Sequence, residues 1–148
     1  MRAPRRVHPR AVTRLVALVQ AGYYVLTGIW PLVSMRTFER ITGPKADRWL
    51  VRTVGVLAAT IGGVLGVRAV DRDCRPDPLL GATAALAFAA VDTRYATTGR
   101  ISKVYLADAA VELAIIAAWL AATVRPTRRA ARRPCAAWRP RGRRDTQP

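Results

Sequence analysis

The chain has 148 residues, of which 51% are hydrophobic, and a formal net charge of +16. One domain of this length can bury a core. Here, however, the apolar residues are gathered into four blocks, near 15–34, 49–67, 79–95 and 104–124. That grouping excludes an ordinary soluble domain and predicts an all-α integral membrane four-helix bundle. Nucleic acid is a weak reading of the charge: apart from Lys45 and Lys103 every base is arginine, and there is no asparagine, a skew that a GC-rich genome produces unselected. The bases also border the apolar blocks, where membrane topology accounts for them.

Residues 1–14 read as a basic cytosolic tail whose one histidine, His8, has nothing to pair with. Arg2, Arg5, Arg6, Arg10 and Arg14 precede an apolar run, as in a signal peptide. The run Leu15 to Ser34 is too long for such a segment, lacks a small-x-small site and ends in Trp30-Pro31, so it reads as a retained first span. Gln20, Tyr23, Tyr24 and Thr27 give it a mildly polar side. In the linker MRTFERITGPKADRW, Met35, Phe38 and Ile41 fall on one side of a short helix suited to the interface. Gly43-Pro44 ends it, and Asp47 stands near the start of the next helix, where the dipole favours a carboxylate.

The second span, 49–67, carries Arg52 near its start. On a helical wheel Arg52 falls with Gly55, Ala59, Gly63 and Gly66, small residues that form a predicted packing face, and Gly62 with Gly66 adds one GxxxG match. Pro76 and Pro78 lead into the third span, where proline is tolerated in a first turn. This span is the weakest, crossing only if it runs past Asp92 to Tyr95 or Thr98, and three spans plus a buried hairpin is the alternative. Asp92 shares a stripe with Gly81, Ala85, Phe88 and Tyr95. In the fourth span, Asp108 and Glu112 lie about 40° apart on a face with Tyr105, Ile115 and Trp119, while Leu106, Leu113 and Ala117 point away.

The stretch 125–148 is arginine-rich, has little to bury and reads as a disordered cytosolic tail. Its bases suit the anionic lipids of an inner leaflet, with Trp138 at headgroup level. The two tails and the 68–78 loop together carry 17 of the 25 Lys and Arg residues, against eight in the 35–52 and 92–103 segments. The asymmetry predicts a multi-pass protein of a bacterial inner membrane with both termini inside. Cys74 and Cys135 lack a CxxC or Cys/His neighbour, so neither zinc nor redox chemistry is expected, and on the cytosolic side both would be reduced.

The intramembrane charges carry the functional question. An aspartate at mid-span costs about 2.5 to 3.5 kcal/mol, whereas each Leu, Ile or Val returns only roughly 0.3 to 0.6. The acids should therefore face the interior. Arg52, Asp92, Asp108 and Glu112 are expected to form one outer-half cluster, either a clamp that fixes helix register or a path for a proton, cation or small solute using Asp108 and Glu112. A third expectation is an accessory subunit whose faces bind another membrane protein or a second copy. Catalysis lacks its parts: no span holds His or Cys, and there is no serine beside a base, no metal-ligand cluster and no phosphate loop. No enzyme activity, metal or cofactor is expected.

The run YYVLTGIWPLVSMRTFERITGPKADRWLVRTVG, residues 23–55, with Trp30-Pro31, Phe38-Glu39, Thr42-Gly43-Pro44-Lys45, Asp47 and Trp49-Leu50-Val51, resembles the signature stretch of small bacterial four-span membrane proteins without an assigned function. The resemblance implies a membrane location and a compact helical bundle. It supplies no catalytic residues.

Overall fold

The computed structural model describes residues 9–124; the expected disordered tail with Cys135 and Trp138, and His8, lie outside the described residues. Those residues form five helices and no strand: α1 (Pro9–Val33), α2 (Met35–Thr42), α3 (Arg48–Val70), α4 (Pro78–Thr97) and α5 (Tyr105–Val124). The punctuation is chemical. Pro31 lacks the N–H that the Thr27 carbonyl would accept, and α1 ends one residue short of Ser34, whose side chain accepts the Thr37 N–H to start α2. Gly43, at φ 82°, ends α2 in a conformation that a side chain would strain. Asp77 caps α4 by accepting the Leu79 N–H at 3.0 Å, with Pro78 in the first turn. Asp47 occupies the cap position of α3 without a side-chain cap bond.

Three helices are long and apolar enough to cross a membrane, over Ala11–Val33, Arg48–Val70 and Tyr105–Val124. The four-span expectation is not met by α4. Its 20 residues would reach about 30 Å, but Asp92 and Arg94 near its end and an alanine-rich body leave it short in apolarity.

The helix α1 packs against all four others; the long helices pair as α1 with α3 and α4 with α5. Small residues set the first pairing. A Cβ on Gly28 would lie 2.5 Å from the Gly55 carbonyl oxygen, and one on Gly62 would lie 2.8 Å from the Ala21 oxygen. The two backbones therefore run antiparallel in direct contact, an approach that only small side chains permit. The buried stripe of α3 is Gly55, Ala58, Gly62, Leu65 and Ala69. The predicted face is thus corrected by roughly a quarter turn. Gly55 and Gly62 belong to the contact, a Cβ on Gly66 would lie 3.4 Å from that of Ala21, and one on Gly63 would meet nothing within 4 Å. The second pairing closes over Gly81, where a Cβ would lie 2.5 Å from the Trp119 ring.

Gly28→Leu should lower stability by about 1–3 kcal/mol through overpacking. Gly63→Ala, on open surface, should leave it unchanged or raise it by up to about 1 kcal/mol. Thermal melts of the detergent-purified variants distinguish the two.

Candidate functional site

On α1, Gln20, Tyr23, Tyr24 and Thr27 recur at positions i, i+3, i+4 and i+7 and so share a stripe. That stripe meets α5 and the start of α4. Gln20, fully buried, donates from Nε2 to the Gly81 carbonyl at 2.9 Å and accepts at Oε1 from the Trp119 indole N–H at 2.7 Å. One turn along, the Tyr24 hydroxyl donates to Glu112 Oε2 at 2.9 Å, and the Tyr23 hydroxyl donates to Asp108. The Tyr24 ring stands edge-on to Phe88 of α4, with centroids 5.4 Å apart. The Thr27 hydroxyl turns back to the Tyr23 carbonyl at 2.7 Å.

The acids are brought together as the helical wheel requires. Glu112 is 1% exposed and Asp92 6%, while Asp108 is half-buried with its carboxyl against that of Asp92. Beside them lies a cavity of about 40 Å³ lined by Tyr23, Tyr24, Thr27, Ala58, Phe88, Asp108 and Glu112. That volume holds about three waters and no organic solute. Exposure falls along the seam, from half-buried Thr27, Tyr23 and Asp108 to Tyr24, Glu112, Gln20 and Trp119, all buried.

Arg52 does not join the acids. It is exposed on α3, about a quarter turn from the stripe that meets α1, and α3 runs along α1 rather than α5. Among the described residues no base forms an ion pair with Asp92, Asp108 or Glu112; the ion pair there is Glu39 with Arg48. Phenols, not a guanidinium, donate to Asp108 and Glu112. No group of three metal-ligating side chains occurs among the described residues.

Three contacts outside the seam were not legible as partners. Arg14 donates to the carbonyls of Asp71 and Arg72 at 3.0 and 2.9 Å, satisfying orphan acceptors at the end of α3. Backbone acceptors leave no mark in a sequence. At the opposite end, Arg48 grips Glu39 with two bonds of 2.9 Å. Lys45 stands 4.7 Å from the Tyr105 ring and 5.9 Å from that of Phe38, tying the α2 link to the start of α5. The hydrogen bonds from Arg48, with help from the Lys45 N–H, hold the Glu39 carboxyl below its ordinary range. A bond from the Asp73 N–H does the same for Asp71.

No protein-family model, no curated protein and no solved structure matches the chain.

Two measurements probe these contacts. Trp119→Phe removes the donor to Gln20 Oε1 and leaves a buried acceptor unpaired, so it should cost about 1–3 kcal/mol in a melt; Gln20→Leu in the same background should recover part of that. Because Glu39 is depressed in the fold, its contribution is complete above the unfolded Glu value and is lost as pH falls through the lower folded value. Hydrogen exchange in residues 35–48 should accordingly rise only in acid, and Glu39→Gln should raise it at neutral pH.

Proposed function

We propose that the chain is a small, non-enzymatic, polytopic protein of a bacterial inner membrane, with four spans, both termini inside and a structural or accessory role. The observation that carries this reading is how its interior polar groups are used. Gln20, Tyr23, Tyr24 and Trp119 spend their hydrogen bonds on one another, on the acids and on the backbone, joining one helix pair to the other. A seam of this kind fixes register and depth. In this reading α4 spans because α5 covers its polar side, burying Asp92, and the arginine-rich tails rest on anionic lipid.

A transport role for Asp108 and Glu112 is the second reading, favoured by three interior acids with no ion-pairing base among the described residues. It requires a continuous path for a proton, cation or small solute. The cavity of about 40 Å³ is small for a solute, and the Gln20 to Trp119 bond lies across the seam on the side of Arg14. Those features favour the structural role.

In protein carrying Cys135→Ser, a membrane-impermeant maleimide should label Cys74 only after spheroplasts are opened; labelling of intact spheroplasts would reverse the orientation. For the accessory role, Gly63→Leu enlarges an open face of α3. It should leave the melt unchanged while releasing a membrane protein that co-purifies with the wild type. Isolation of the wild type without any such protein from gently solubilised membranes would count against a partner.

A further inference from the structure

The seam leaves one acceptor over. Asp92 is 6% exposed, and its Oδ2 meets no hydrogen-bond donor among the described residues. Its polar neighbour is a second acid, Asp108. The groups that face the two carboxyls can be named helix by helix. From α1 come Tyr23, which donates to Asp108, and Tyr24, which donates to Glu112. From α5 come Asp108 and Glu112, and α3 presents only Ala58 to the cavity. From α4 comes Asp92, and Arg94 points away, exposed. Two phenols therefore serve three acids, and the acid without a donor is pressed against another carboxyl. Like charges so placed do not both ionise, and a cation or a proton has to intervene.

The geometry selects the proton. No set of three metal-ligating side chains is present among the described residues, and the orphan oxygen lies on a carboxyl beside a carboxyl, where one hydrogen both removes the repulsion and supplies the missing donor. Asp108 also lines the cavity of about 40 Å³, which gives water a place to exchange it. We propose that Asp92 and Asp108 form a carboxyl pair holding one exchangeable proton, loaded through the cavity beside Asp108. Uptake forms one O–H bond on the pair, the proton leaving a hydronium in the cavity as water; release is the reverse, and no other bond changes. This role stands apart from the accessory reading, which survives whether or not the proton is found.

Infrared difference spectra of the full chain in lipid nanodiscs, recorded between neutral and alkaline buffer, test the pair directly. A band from a buried protonated carboxyl should be present at neutral pH, shift in D₂O and vanish in alkali. It should be lost in both Asp92→Asn and Asp108→Asn, and retained in Glu112→Gln. Absence of the band from the wild type, or its persistence in Asp92→Asn, overturns the proposal. Replacing choline chloride with sodium chloride at fixed pH should leave the band in place; its displacement would make this an alkali-cation site and overturn the proton assignment. Gel filtration checks that the Asn variants fold. Should they not, Tyr23→Phe keeps both acids and removes the phenol that donates to Asp108, so the pH at which the band disappears should shift, and an unmoved midpoint overturns the pairing.

Discussion

A carboxyl placed in the middle of a membrane-length helix needs a donor, and the donor it finds fixes which helices lie together. Here the donors are the phenols of Tyr23 and Tyr24, both on α1. Each bond crosses between the two helix pairs, so the placement of α5 against α1 follows from where those hydroxyls reach. Gln20 repeats the device one turn further, holding Trp119 of α5 and the backbone of α4 with the two ends of a single amide. Interhelical bonds of this type contribute only about 0.6 to 2 kcal/mol each. Their weight lies in direction: a register shift of one residue breaks several at once.

Because α1 supplies both kinds of contact, it has to be two-faced in a way that hydropathy does not record. Ala21, Val25 and Gly28 form its close-approach face toward α3, and Gln20, Tyr23 and Thr27 form the polar face, about a third of a turn away. Tyr24 stands at the boundary. Its Cβ lies against the place a Gly62 side chain would occupy, while its hydroxyl reaches Glu112. The chain ends of the bundle use other chemistry, suited to water: a guanidinium on backbone carbonyls at Arg14, and an exposed ion pair with a cation over aromatic rings at Arg48 and Lys45. Exposed pairs of this kind are weak in isolation, and they act here on short links whose ends the long helices already hold in place.

The division between what was legible in the sequence and what was not follows from this. In α5 a polar stripe runs through an otherwise apolar helix, so one rotation alone removes both acids from lipid; Glu112, Ile115 and Trp119 are buried and Leu113 is exposed, as the wheel requires. The same holds in α4 for Gly81, Ala85 and Asp92, whereas Tyr95, placed on the same stripe, is 46% exposed. In α3 the small residues Gly55, Ala58, Ala59, Gly62, Gly63 and Gly66 cover an arc of about 140°, wide enough for composition to leave the rotation open. The predicted face is the part of that arc which shares the wheel position of Arg52. The facing positions Gly28 and Ala21 settle the rotation instead, and they are informative only once the partner helix is known. The tyrosines had been visible as a polar side of α1; charge balance favoured an arginine over a hydroxyl as the partner.

That substitution of phenol for guanidinium changes what the interior is able to do. A guanidinium paired with a carboxylate is permanently charged, and removing either partner strands the other. A phenol is neutral, donates one hydrogen and leaves the charge of the carboxyl to be settled by protons. The seam is therefore held by bonds that need no permanent charge, and exposure falls from Asp108 to Glu112, which is as deeply buried as the Gln20 and Trp119 contact. Traffic beyond that contact requires the indole to leave the amide, exposing a buried donor and acceptor together. The closed end is consequently the costlier one to open, and the cavity lies on the other side of it, against Asp108 and Glu112.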